Sequence, residues 1–170
     1  MTVLKHELDI RTVVQRAIEK HGSTRDALIP ILSEVNREYG YIPAEALSEV
    51  RRQVRMSESQ IIVSEGHLFS LASFYHMLST KPLGQHVVRF CESAPCHVMG
   101  GRELLHAIQN TLGLQPGETS ADGRWSFITT SCLGVCGVGP VILVDEDVYG
   151  NVTPADLPRI LANYQEEVAV

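Results

Sequence analysis

Four cysteines restrict this chain more than any other feature. Cys91 and Cys96 are separated by four residues, Cys132 and Cys136 by three, and 35 residues lie between the pairs. Each pair follows a segment with strand character. His86 to Phe90 (HVVRF) runs straight into Cys91, and Trp125 to Thr129 ends just before Cys132. Two loops that leave the same edge of one sheet can converge, so the four sulfurs can meet at one point.

The surrounding pattern predicts an α+β chain in two parts. Asp9 is placed to cap a helix carrying Val13, Val14, Ala17 and Ile18, with Gly22 as its stop. Ser23 or Thr24 opens a second, with Ala27, Leu28, Ile31, Leu32, Val35 and Tyr39 at helical spacing and Gly40 at its end. Pro30 falls in its first two turns, so an irregular start is expected. Pro43 suits the first turn of a third helix bearing Leu47, Val50 and Val54. Ser57 and Gln60 have capping-box spacing for a fourth, and a fifth apolar stretch runs from His67 to Leu78. After Lys81-Pro82-Leu83-Gly84 the pattern changes to strand, helix (Glu103 to Leu112), strand, strand (Val141 to Val144), strand (Val148-Tyr149) and helix. Thr153 caps that last helix, with Pro154 at its first position. A strand–helix–strand passage favours parallel pairing, and the closely spaced last two strands favour a hairpin. The expected division is a helical bundle over residues 1–83 and a mixed-sheet domain of thioredoxin-like order over residues 84–170.

Gly134, Gly137 and Gly139 surround the second cysteine pair and are expected to let the backbone approach a bound group and turn with positive φ. Four thiolates in two pairs suit a [2Fe–2S] cluster, in which each iron takes two protein sulfurs and bridging sulfide completes its tetrahedron. Backbone N–H groups near the sulfurs would tune its potential. Three other readings stay open on spacing alone. A structural zinc site usually shows two-residue gaps within its pairs. Disulfides match the composition but not a cytosolic compartment. Four unrelated buried thiols are the third reading.

Composition removes several functions. The net charge is −6 and no basic patch appears, which argues against nucleic acid as a partner. Arg51, Arg52 and Arg55 read as a solvated helix face. No apolar run reaches the ~18 residues of a membrane span, and Met1 to Asp9 lacks the features of a secretory signal, so a cytoplasmic protein is expected. There is no GxGxxG and no GxxxxGK[ST].

Cys91-Glu92-Ser93-Ala94-Pro95-Cys96-His97 and Cys132-Leu133-Gly134-Val135-Cys136 resemble the two cluster-binding motifs of the thioredoxin-like [2Fe–2S] ferredoxin family. Within it the chain resembles the 24 kDa-type subunits of NADH:quinone oxidoreductase (complex I), of NAD-linked and electron-bifurcating hydrogenases, and of NAD-dependent formate dehydrogenases. Supporting stretches are Tyr39-Gly40-Tyr41-Ile42-Pro43, Ser73-Phe74-Tyr75, Lys81-Pro82-Leu83-Gly84, Leu114 to Thr119, Asp122-Gly123-Arg124, Gly139-Pro140 and Val148 to Pro154. The resemblance implies one [2Fe–2S] cluster on Cys91, Cys96, Cys132 and Cys136. It also implies a partner subunit that binds FMN, NAD(H) and a [4Fe–4S] cluster, together with further iron–sulfur or hydrogenase subunits. Under it the chain is a non-catalytic electron-transfer subunit of an oxidoreductase. A free-standing ferredoxin and a zinc-stapled interaction module are the alternatives. Where many relatives carry a Gly-Thr-Ala type sequence this chain has Ser93-Ala94-Pro95, and Pro95 has no N–H to give.

Other residues attract ordinary readings. His97 is expected to face solvent. His67 and His76 are expected to meet a partner or the core, Phe74 and Tyr75 to pack between the two domains, and Trp125 to sit at the sheet face. Asp145, Glu146 and Asp147 read as a hairpin turn. Pro140 is a position where thioredoxin folds often use a cis bond, against a base-rate expectation of trans.

Overall fold

A computed structural model describes residues 9–54 and 63–164. The chain divides into two compact units, with the boundary between Pro82 and Leu83.

The first unit is helical: α1 (Ile10–His21), α2 (Leu28–Tyr39), α3 (Ala44–Gln53) and α4 (Glu65–Phe74). Val13, Val14 and Ala17 of α1 pack with Leu28, Ile31, Leu32 and Val35 of α2, Ala46, Leu47 and Val50 of α3, and Leu68 and Ala72 of α4. That is the helical spacing read in the sequence, folded inward. Asp9 takes the N-cap position of α1, but its side chain makes no capping bond. The irregular start of the second helix is a 3-10 turn, Arg25–Ala27, which leaves Pro30 in the first turn of α2. Gly40 ends α2 in the left-handed region at φ 75°. Pro43 is the N-cap of α3. Ser64 caps α4 by accepting the His67 N–H at 3.1 Å, a cap not picked out in the sequence. Ser57, Gln60 and Arg55 lie outside the described residues.

Within this unit Phe74 is 73% exposed, whereas its neighbour Tyr75 packs against the helical core. His76 is exposed beyond the end of α4, as contact with a partner would require, and His67 is half-buried.

The second unit holds a five-stranded mixed sheet: β1 (His86–Cys91), β2 (Glu118–Thr119), β3 (Trp125–Thr130), β4 (Ile142–Val144) and β5 (Asp147–Tyr149), in the order β2-β3-β1-β4-β5. β1 and β3 are parallel, with His86 opposite Trp125 and Cys91 opposite Thr130. β4 runs antiparallel to β1, and β5 antiparallel to β4. The passage from β1 to β3 contains a single helical turn α5 (Ala94–Cys96), a kinked segment His97–Gly101 and the helix α6 (Arg102–Leu112). After β5 come a 3-10 turn capped reciprocally by Thr153 and Asp156, then α7 (Leu157–Ala162). Val88, Phe90, Phe127, Ile142 and Val144 meet Leu104 and Ile108 of α6 and Leu157, Ile160 and Leu161 of α7 in one core. Trp125 is buried in it, as expected.

Asp145 does more than turn the hairpin. Its carboxylate accepts the Val87 N–H at 2.8 Å and pairs with His86 Nδ1 at 2.8 Å, tying the β4–β5 turn to the start of β1. The Gly139-Pro140 bond is cis.

Phe127→Ala removes a fully buried ring from the sheet core and is expected to destabilise this unit by about 3–5 kcal/mol. Trp125 is the only tryptophan, so denaturant unfolding followed by its fluorescence reads the sheet unit alone. In the helical unit, the Lys20 ammonium, then His21 and Arg37, hold the Glu34 carboxyl down from 4.5 to about 2. A depressed carboxylate stabilises above its unfolded pKa and loses that contribution as pH falls through the folded one. Helical stability should therefore fall between pH 4.5 and about 2, and Glu34→Gln should flatten that loss in acid titrations followed by circular dichroism.

Candidate metal centre

Parallel pairing of β1 and β3 sends both chains out at the same sheet edge. Cys91 is the last residue of β1, and Cys132 comes two residues after β3 ends. β4, antiparallel to β1, enters the sheet from that same edge, so Cys136 and the Gly139-Pro140-Val141 segment arrive there too. Hydrogen bonds pin the junctions. The Cys91 N–H donates to the Val141 carbonyl at 3.3 Å, and the Glu92 N–H to the Thr130 carbonyl at 3.1 Å. The Asn151 N–H donates to Val138 O at 2.6 Å and the Val152 N–H to Pro140 O at 3.1 Å, which fixes the end of the second cysteine loop.

Within this edge the sulfurs form two pairs. Cys132 Sγ and Cys136 Sγ are 3.3 Å apart. The Cys91 and Cys96 thiols are close enough for each to shift the pKa of the other. Both are buried and pack with Val141 and Leu133 in a small cluster of their own, apart from the main sheet core. Cys132 is exposed and Cys136 half-buried. Cys136 lies within electrostatic reach of both Cys91 and Cys96, so the two pairs are neighbours at this edge.

Backbone N–H groups converge on the sulfurs. The Gly134 N–H donates to Cys132 Sγ at 3.4 Å, while the N–H groups of Ser93 and Leu133 act to lower the Cys91 pKa and that of Val141 to lower the Cys96 pKa. These donors decide which way each thiol moves. Burial pushes Cys91 up, but the N–H groups of Ser93 and Leu133, with the Cys96 thiol, outweigh it, and its pKa ends below the ordinary thiol value. Cys96 has one backbone donor; burial and the Cys91 sulfur raise it. The neighbouring Cys132 sulfur is the main reason Cys136 is raised.

The three glycines act differently from one another. Gly134 alone takes positive φ, at 82°, and turns its N–H onto Cys132. Gly137 and Gly139 do not have positive φ, contrary to the expectation for all three. Gly139 lies in a tight place: a Cβ there would stand 3.4 Å from Cys96 Sγ and 3.3 Å from Met99 Sδ. That cradle suits a group held against Cys96. Among the described residues no three His, Cys, Asp or Glu side chains are arranged about one metal ion. Two pairs suit a two-iron cluster with two thiolates per iron better than a zinc ion that needs four ligands at one point.

Sequence reasoning placed all four cysteines at this edge but missed Ser93, Leu133 and Val141, whose role is carried by backbone N–H groups with no side-chain signature. It also missed Gly101, where a Cβ would meet Cys96 O at 2.7 Å, and Met99. His97 is exposed, as expected.

The mixed sheet, with two cysteine pairs at one edge, defines a thioredoxin-like fold with a cysteine site at the ends of its parallel strands. A model of the thioredoxin-like [2Fe–2S] ferredoxin family matches residues 14–165, and the chain belongs to that family. The E-type subunit of the NADH-quinone oxidoreductase of Escherichia coli (strain K12) is 31% identical over 155 residues, covering 91% of this chain and 89% of the relative. The corresponding subunit of Aquifex aeolicus (strain VF5) is 31% identical over 156 residues, covering 92% and 93%. Among solved structures, an NAD+-reducing [NiFe]-hydrogenase in the H2-reduced state shares the fold, with a TM-score of 0.66 at 21% identity. It covers 86% of this chain, which spans 23% of the hydrogenase chain. The cofactor of the family is one [2Fe–2S] cluster.

Gly101 has helical backbone angles, φ −62° and ψ −29°, where alanine would ordinarily be favoured by about 1 kcal/mol. The clash with the Cys96 carbonyl reverses that sign. Gly101→Ala is expected to lower the unfolding midpoint of the sheet unit, measured by Trp125 fluorescence; a raised midpoint would show that the backbone yields.

Proposed function

We propose that this chain is the [2Fe–2S] electron-transfer subunit of a multisubunit NAD(H)-dependent oxidoreductase of the complex I or NAD-linked hydrogenase kind. Cys91 and Cys96 would hold one iron, and Cys132 and Cys136 the other. The observation that carries this reading is the arrival of two cysteine pairs at one sheet edge, with the Gly134 N–H on Cys132 Sγ. The relatives from NADH-quinone oxidoreductases, aligned over nine-tenths of the chain, support the parent complex.

When bound, the cluster supplies one-electron redox chemistry. The chain's own residues set its conditions. Cys91 and Cys96 anchor it from the buried side, and Cys132 and Cys136 close it on the side that faces out. The N–H groups of Ser93, Leu133, Val141 and Gly134 stabilise negative charge on sulfur, which favours the reduced form. The chain is non-catalytic in this reading. FMN and NAD(H) lie on a partner subunit that also carries a [4Fe–4S] cluster, and further iron–sulfur or hydrogenase subunits complete the assembly. The helical unit docks the chain there, and its exposed Phe69, Phe74 and Met77 are the surface available for it. A cytoplasmic location belongs to the same reading; no helix among the described residues is long and apolar enough to cross a membrane. A free-standing ferredoxin would have no use for the helical unit.

The test is metal analysis with EPR on the purified protein. About two irons and two acid-labile sulfides per chain, with a paramagnetic signal on reduction, are expected. Serine at Cys91 or Cys96 should abolish that signal, and co-purification should recover a flavoprotein. One zinc per chain in a colourless protein would sink the reading.

A further inference from the structure

We propose that Met99 is the cover of the buried side of the cluster pocket and that it sets the cluster's exposure to water; this deepens the [2Fe–2S] reading above and rests on it. The helical path from Cys96 towards α6 is broken at Met99 (φ −87°, ψ 21°) and Gly100 (φ 100°, ψ 13°). That break needs glycine at Gly100, because positive φ of this size is strained for any L side chain. Gly101 then lets the chain close down on Cys96, where a Cβ would stand 2.7 Å from the Cys96 carbonyl oxygen. Two adjacent glycines and a broken helix thus deliver one side chain. Met99 Sδ and Cys96 Sγ lie within 3.4 Å of the same point, the position that a Cβ on Gly139 would take. The Met99 thioether therefore lies over Gly139 beside the ligand sulfur.

Exposure separates Met99 from its neighbour. Val98 is 84% exposed, whereas Met99 is 48% exposed, with its sulfur turned towards Gly139. Methionine is flexible and polarisable, so it fills an irregular gap beside sulfur without demanding a fixed shape. Removing it would open the Cys96 side to water. The reduced cluster carries one more negative charge than the oxidised one, and water stabilises the more highly charged form. Opening the cover should therefore raise the reduction potential and speed loss of iron. Side-chain volume performs this function, so leucine should replace methionine.

The experiment uses the full chain, reconstituted anaerobically, in wild-type, Met99→Ala, Met99→Leu and Val98→Ala forms. Potentials come from dithionite titration followed by EPR, and cluster loss from bleaching of the visible absorbance under air with EDTA. Met99→Ala is expected to have a higher potential and to bleach several-fold faster, with Met99→Leu and Val98→Ala close to wild type. A Met99→Ala chain that cannot hold the cluster while Met99→Leu holds it also supports the proposal. Equal potentials and bleaching rates in Met99→Ala and wild type overturn the cover and leave the [2Fe–2S] reading standing. Loss of the cluster in both Met99 variants overturns it as well, because a cover needs volume rather than sulfur. A wild-type chain with no [2Fe–2S] signal overturns both readings together.

Discussion

The parallel alignment of β1 and β3 is the constraint on which the cysteine edge depends. A six-residue strand is about 20 Å long, at roughly 3.3 Å per residue. If β3 ran the other way, Cys132 would leave the sheet at the His86 end, a strand length away from Cys91. Parallel pairing forces a crossover, and α6 supplies it. The same helix that makes the topology possible contributes Leu104 and Ile108 to the core that holds the sheet. The order of strands and the meeting of the sulfurs are thus one fact. The antiparallel return of β4 adds the third arm, bringing Cys136, Gly139 and Val141 to the edge where the other two chains leave.

Once the sulfurs are together, their environment is set by opposing terms. Burial disfavours thiolate, and N–H donors favour it. Cys91 has two backbone donors and Cys96 one, and they move in opposite directions although both are buried. The difference arises from loop geometry rather than residue type. Leu133 belongs to the second cysteine loop yet packs against the buried cysteines of the first, and its N–H lowers the Cys91 pKa. That packing links the two loops before any cofactor is considered. It also explains why Gly134 follows immediately: the chain must turn at positive φ to aim the next N–H at Cys132.

Hydrophobic spacing made much of this legible. The apolar positions of α1, α2 and α3, the strand running into Cys91 and the amphipathic face of α6 were all readable, because each buries one continuous face. β2 was not, since both of its residues are exposed and period-2 burial leaves no trace in them. Phe74 shows the opposite case: an aromatic residue in an apolar stretch reads as packed, and nothing local says that the helical core leaves it exposed. Side chains identified the cysteines, whereas the donors to them are peptide groups of Ser93, Leu133 and Val141, which any residue but proline could supply. The tight fit at Gly139 comes from two sulfurs distant in sequence, Cys96 and Met99, and appears only when the fold brings them together.

The two cysteine pairs differ in one further respect that bears on electron exchange. Cys91 and Cys96 are buried, while Cys132 is exposed and Cys136 half-buried. Residues 131–142, which carry the outer pair, contain no charged side chain although the chain as a whole has a net charge of −6. Val135 and Val138 are exposed within that stretch. An acidic face would repel electron-rich centres and hold tightly bound water, and both would separate a partner from the outer sulfurs. A neutral, partly apolar rim sheds its water at lower cost. On the proposed reading, the inner pair therefore fixes the cluster in the fold, and the outer pair, on its uncharged loop, is the side through which an electron passes.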